Sequence, residues 1–261
     1  MGSAGEVGDS YGGVILMGRL GPFEENTIVV GNCLDIMAQM PDGCVDLVVT
    51  DPPYNISSDT HFERKSLRNT KFCRSKAITF DFGEWDYFSD KDYVHFVDGW
   101  LGEAYRILKP SGTIYSFSDK MFISFLWQML ERRGFYPKNI ITWHKTNPVP
   151  QFRFKNLLSA CEFFIWAVKD NGDFTFNWKT HKEMHNHFES PICMGKERLA
   201  HPTQKPEGLF RHYIEISSNE GDIVGDFFMG SGTTAVVADR LGRKFFGCDI
   251  SEDYVKMALK R

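Results

Sequence analysis

Short apolar runs alternate with amphipathic stretches along most of this chain, and that alternation favours a mostly parallel sheet flanked by helices. Residues 28–30, 45–50, 113–117, 140–144, 163–168, 223–227 and 244–248 read as strands. Residues 34–40, 93–108, 121–133, 207–217, 234–241 and 251–259 read as helices. Several elements carry their own punctuation. The first helix ends at Pro41-Asp42-Gly43 and the second at Lys109-Pro110-Ser111-Gly112. The last opens with Glu252 and Asp253, where the helix dipole favours acids.

With 261 residues, 42% of them hydrophobic, the chain can bury a sizeable core. Residues 14–261 are expected to form a single domain behind a Gly/Ser-rich, flexible segment at 1–13. Two stretches break the alternation. Residues 55–82 are polar and basic without a period, and loops of that length in a compact domain are usually functional or mobile. Within 145–199, the chain from Lys169 onward is polar with little periodicity, which marks an inserted recognition segment.

The net charge of −4 does not announce a nucleic-acid binder, but distribution matters more than the sum. Between His61 and Lys76 stand Arg64, Lys65, Arg68, Lys71, Arg74 and Lys76 against Glu63 alone, a net +5 in sixteen residues. Such a run is either a solvated loop or a phosphate-contacting one. The six cysteines are scattered and form no CxxC pair, which argues for reduced thiols in a cytoplasmic protein. No apolar run approaches membrane-spanning length. His181, His185, His187, Cys193 and His201 lie close together in sequence, but their spacing matches no common zinc pattern and no metal is expected.

Two motifs carry chemistry. Asp51-Pro52-Pro53-Tyr54 follows a buried strand directly, and ligands of open α/β sheets bind outside the carboxyl ends of strands. Consecutive prolines fix the backbone and remove two N–H donors. The Pro52 carbonyl and the Asp51 carboxylate then offer two acceptors spaced for the hydrogens of an amino group, with the Tyr54 ring available for stacking. The plainer reading is a rigid turn capping a strand. The second motif runs from Asp226 to Thr234, a strand, a glycine turn and a helix in order. Its glycines let backbone approach a ligand closely, and Asp249 ends the next strand at a spacing common for an acid that binds ribose hydroxyls. It lacks the third glycine of a dinucleotide fingerprint, so a nucleoside without phosphates fits better than NAD. The plainer reading here is a tight strand–helix turn.

Together these residues resemble the DNA amino-methyltransferases in their β-class order. In that family the D-P-P-Y motif comes first, a recognition region follows, and the F-x-G-x-G cofactor motif lies near the C-terminus. Here Phe228-Met229-Gly230-Ser231-Gly232 is the F-x-G-x-G segment. His201-Pro202-Thr203-Gln204-Lys205-Pro206 and Gly31-Asn32-Cys33-Leu34-Asp35 are similar to two further family signatures, so the likeness spans roughly 28–259. Enzymes acting on RNA guanine or protein glutamine carry an N-P-P-Y-like motif after their cofactor motif, so the permuted order points to DNA.

The resemblance implies a Rossmann-like S-adenosylmethionine-dependent methyltransferase fold, with seven strands of which one is antiparallel. It implies methylation of a flipped-out base in double-stranded DNA. An Asp at the head of the tetrad is similar to adenine-N6 enzymes, with cytosine N4 the alternative. An enzyme acting on RNA or protein, or a catalytically silent DNA-binding relative, fits less well. Asp51, Pro52, Pro53 and Tyr54 would be catalytic. Cys33, Asp51, Thr203, Lys205, Asp226, Phe228, Gly230, Ser231, Gly232, Thr233 and Asp249 would line the S-adenosylmethionine pocket, Asp249 holding the ribose and Lys205 pairing with the methionine carboxylate. The basic run, with Arg153 and Lys155, would meet DNA. A second copy of the chain and a cognate restriction enzyme are the further partners the family implies.

Overall fold

The computed structural model describes residues 18–54, 90–150, 154–199 and 201–261. The whole loop expected at 55–82, with its basic run at 61–76, the segment 1–13 and Arg153 lie outside them.

A short antiparallel ribbon, β1 (Arg19–Leu20) and β2 (Phe23–Glu24), precedes the main sheet. The sheet has eight strands: β3 (Thr27–Val30), β4 (Val45–Thr50), β5 (Leu108–Ser118), β6 (Tyr136–Lys145), β7 (Cys161–Val168), β8 (His187–Ser190), β9 (Ile223–Asp226) and β10 (Lys244–Asp249). Their order is β3-β10-β9-β4-β5-β7-β6-β8. Among the described strands of this sheet, only β7 runs against its neighbours. The strand beyond the expected seven is β8, which pairs parallel with β6 from inside the polar segment at 145–199. The alternating burial of its four residues is too short a pattern to stand out in a polar context.

Helices α1 (Cys33–Met37), α2 (Asp90–Ile107), α3 (Ile123–Arg132), α4 (Glu207–Ser217), α5 (Thr233–Arg240) and α6 (Glu252–Ala258) connect the strands. Side chains alternate across a strand, so β4 feeds two cores. Val48 joins Trp100, Leu101 and Leu130 of the helices on one face. Leu47 and Val49 join Leu209, Ile214 and Val237 of α4 and α5 on the other. The expected turn at 109–112 appears as an irregularity within β5, with Ser111 at φ 68° and a register shift opposite Val45/Leu47.

This topology concentrates strand ends. From β4 the chain moves to β5 on one side, and from β9 to β10 on the other, so β4 and β9 flank the point where the winding reverses. Asp51 and Asp226 stand at those two ends. Because β7 is antiparallel, its first residues lie at the same edge, which brings Glu162 there from a distant part of the chain.

Candidate active site

The turn after β9 builds the floor of a cleft. Gly230 adopts φ 50°, and a Cβ there would sit 2.9 Å from His201 Nε2, so only glycine fits without displacement. The Gly230 N–H donates to Asp249 Oδ2 at 2.8 Å, and the Ser251 N–H donates to Oδ1 at 2.9 Å. One carboxylate therefore ties the glycine turn to the end of β10 and the start of α6. Burial pushes the Asp249 carboxyl above the usual range against those two donors.

Asp226 is buried beneath this turn. Thr50 Oγ1 donates to its Oδ1 at 2.7 Å, the Phe228 N–H to the same oxygen at 3.1 Å, and the Thr234 hydroxyl to Oδ2. Burial nonetheless lifts its carboxyl to about 7. The Thr50 bond links β4 directly to β9, so the two motifs read from the sequence are mechanically one unit. The Phe228 ring meets Phe96 and Trp100 of α2 edge-on, at 5.8 and 5.7 Å between centroids.

Of the residues expected at the cofactor pocket, Cys33, Asp51, Thr203, Lys205, Asp226, Phe228, Gly230, Ser231, Thr233 and Asp249 all line this cleft. Gly232 is not among the lining residues. At φ 78° it forms the N-cap of α5, and a Cβ on it would lie 2.6 Å from that of Ala258, so it packs α5 against α6. Asn32, Phe96, His201, Ile250 and Tyr254 also line the cleft. Asn32 caps α1 through a 2.9 Å bond to the Leu34 N–H, and its place beside Cys33 in the motif was its only signal. Burial holds the His201 imidazole down at about 4, with the Lys205 and Arg198 charges adding to the effect, so it is neutral at physiological pH. The Cys33 thiol is pushed up to about 12 by burial and stays protonated.

At the mouth between β4 and β7 lies a chain of alternating charges. The Tyr54 hydroxyl donates to Asp51 Oδ1, and the Lys205 ammonium to Oδ2. Lys205 also lies 3.2 Å from Glu162 Oε2, while Lys145 at the end of β6 donates to Glu162 Oε1 at 3.0 Å. The resemblance placed Lys205 at the methionine carboxylate; here its ammonium faces two carboxylates of the chain itself, with the Phe117 ring 4.8 Å away. Burial raises the Asp51 carboxyl, and the Lys205 charge opposes it. Burial would also raise Glu162, but Lys205 and Lys145 together hold it below the usual range. Burial would lower Lys205, but Asp51 and Glu162 outweigh it and push the ammonium up to about 12. The Tyr93 hydroxyl donates to the Pro53 carbonyl at 3.2 Å, so α2 braces the tetrad.

Among the four histidines and one cysteine weighed for a metal, only His187 joins a ligand-type cluster among the described residues, with His144 and Glu189 on the exposed β6/β8 edge. Cys193 is buried and His201 faces the cleft. Lys155 is exposed, beside Phe154 at 91% and Leu157 at 87% exposure.

The family model for N6/N4 enzymes, described as DNA methylase, matches residues 45–260. The type II methyltransferase M.HinfI of Haemophilus influenzae is 37% identical across 90% of this chain and 68% of its own length. The type II methyltransferase M2.DpnII of Streptococcus pneumoniae is 33% identical across 96% and 94%. The crystal structure of an M1.HpyAVI–SAM complex aligns with TM-score 0.69 at 28% identity, covering 90% of this chain and 97% of that one. PvuII DNA methyltransferase, cytosine-N4-specific, aligns at TM-score 0.67 and 19% identity over 89% and 84%, a likeness of fold.

Proposed function

Because this chain belongs to the N6/N4 DNA methylase family, we propose that it transfers the methyl group of S-adenosylmethionine to N6 of an adenine in double-stranded DNA. The observation that carries the reading is the position of Asp51. It stands at the carboxyl end of β4, joined through Thr50 and Asp226 to the glycine turn that forms the cleft floor.

The cleft fits the cofactor by its donor set. The Asp249 carboxylate retains lone pairs for a ribose diol, the glycine turn admits close approach, and Phe228 and Ile250 give an adenine ring apolar walls. Bound there, S-adenosylmethionine supplies an electrophilic methyl on sulfonium sulfur.

The rest of the chemistry belongs to this chain. The amino lone pair of adenine is delocalised into its ring and is a poor nucleophile. Asp51 and the Pro52 carbonyl accept its two hydrogens, draw the nitrogen toward tetrahedral geometry and free the lone pair for in-line attack, so catalysis is positioning and electrostatics. Lys205 keeps Asp51 ionised as an acceptor. After transfer the nitrogen is cationic and acidic, and Asp51 can then take its proton. The target amine is out of reach inside a duplex, so the base is turned out of the stack, with Tyr54 as its stacking partner.

The basic run at 61–76 follows the tetrad in sequence and is assigned to phosphate contacts, while Arg153 and Lys155 are assigned to base-edge contacts. Removing Arg64, Lys65 and Arg68 should flatten the dependence of DNA affinity on salt. An unchanged slope removes that assignment.

The product decides the main reading. Unmethylated genomic DNA incubated with labelled S-adenosylmethionine, digested and analysed by mass spectrometry, should yield N6-methyladenine. N4-methylcytosine would overturn the adenine assignment, and unlabelled DNA with intact cofactor binding would overturn the substrate.

A further inference from the structure

We propose that Glu162 is a positioning residue for methyl transfer: it holds the Lys205 ammonium against Asp51, and Lys145 balances it from the strand that opens onto the recognition segment. This rests on the reading of Asp51 as the acceptor of the substrate amine.

Three observations carry it. The first is placement. Glu162 is the second residue of β7, the reversed strand of the main sheet, in register with Trp143 of β6, and that reversal puts it at the catalytic edge. A carboxylate near the start of a parallel strand would lie at the far edge of the sheet. The second is geometry. Lys205 is 6% exposed and faces carboxylates on both sides, Asp51 and Glu162, so its ammonium has two anchors rather than one free swing. The third is cost. Glu162 is half-buried, and its Oε2 accepts no hydrogen bond among the described residues although it lies in ion-pair range of Lys205. A carboxylate placed so is costly unless its charge is used, and here it is matched by Lys205 and Lys145.

The groups facing Asp51 are Tyr54 from its own turn, Lys205 ahead of α4, Glu162 from β7 and Asp226 at the end of β9, with Tyr93 of α2 on the adjoining Pro53 carbonyl. Glu162 is the negative charge on the far side of Lys205. Its removal leaves Lys205 to Asp51 alone, which favours the ionised form of Asp51. It also releases the ammonium from one of its two anchors, so the pair loses its fixed direction. The two consequences separate charge from geometry: Glu162→Gln should move the acid limb of the pH–rate profile to lower pH and at the same time reduce kcat.

Wild-type protein, Glu162→Gln and Glu162→Asp are compared for turnover, KM for S-adenosylmethionine, pH–rate profile and thermal unfolding. The expected loss in kcat for Glu162→Gln is about tenfold to a hundredfold, the scale of a misplaced catalytic group, with KM for the cofactor little changed. Glu162→Asp should recover most of the turnover and the wild-type acid limb. An acid limb that stays put in Glu162→Gln, or a Glu162→Asp protein no better than it, overturns the proposal. If Glu162→Gln fails to fold, Glu162→Ala, which also removes the charge and the anchor but leaves room for water, decides: turnover lost in a folded protein whose acid limb has moved to lower pH supports the positioning role, and wild-type kinetics overturn it. Wild-type protein that leaves DNA unmethylated is the separate failure, that of the functional reading itself.

Discussion

Asp51→Ala is expected to lower methyl transfer by on the order of 10²–10³ while cofactor affinity stays near wild type, because one preorganised electrostatic contact to the reacting group is typically worth that much. The separation follows from the geometry. The residues proposed to hold the cofactor, Asp249, Gly230 and Phe228, depend on bonds that do not involve Asp51. Asp51 is instead bonded by Tyr54 and Lys205 at the mouth. Single-turnover methylation measures the loss and calorimetric titration of S-adenosylmethionine measures the retained binding. Near-normal methylation would remove Asp51 from the mechanism. A parallel loss of both quantities would mean that Asp51 supports the cleft rather than the reaction.

Much of this architecture was legible in the chain because its signals are local. Apolar runs and their stop residues located the central strands, and α4 begins and ends where the sequence indicated, at Glu207 and Ser217. The glycine turn was legible because positive φ selects glycine, at Gly230 and Gly232. What stayed hidden is non-local. Glu162 is 111 residues from Asp51 and 43 from Lys205 in sequence, and nothing in Cys161–Val168 distinguishes it from a solvated acid at a strand start. Its role depends on the direction of β7, which strand pairing decides and periodicity does not. Lys205 was found by its motif, but its two intramolecular partners, Asp51 and Glu162, were not, since a motif names a residue without saying which carboxylates of the chain its side chain will meet. Strand β8 was missed because four residues inside a polar segment carry too little pattern.

Lys205→Met should be the most destabilising change at the site and should shift the pH–rate profile in the direction opposite to Glu162→Gln. Lys205 is 6% exposed and faces two carboxylates, so methionine fills much of its volume but leaves Asp51 and Glu162 without their shared cation. Removing one partner of a buried ionic group costs about 3–5 kcal/mol, and Lys145, still bonded to Glu162, places this case toward the lower end. Burial already raises the Asp51 carboxyl, and without Lys205 the Tyr54 hydroxyl is left to oppose it without a cation. A carboxyl raised on folding contributes stability that is fully present below its unfolded pKa and is lost as pH rises through its folded value. The variant should therefore unfold at a progressively lower temperature than wild type as pH rises from 5 to 8, and its acid limb should move to higher pH. Lys205→Arg, which keeps the charge but not the point geometry, should recover the stability more fully than the turnover. A constant gap in unfolding temperature across that range, with an unmoved acid limb, would show that Lys205 serves the cleft as packing and that the alternating charges do not govern Asp51.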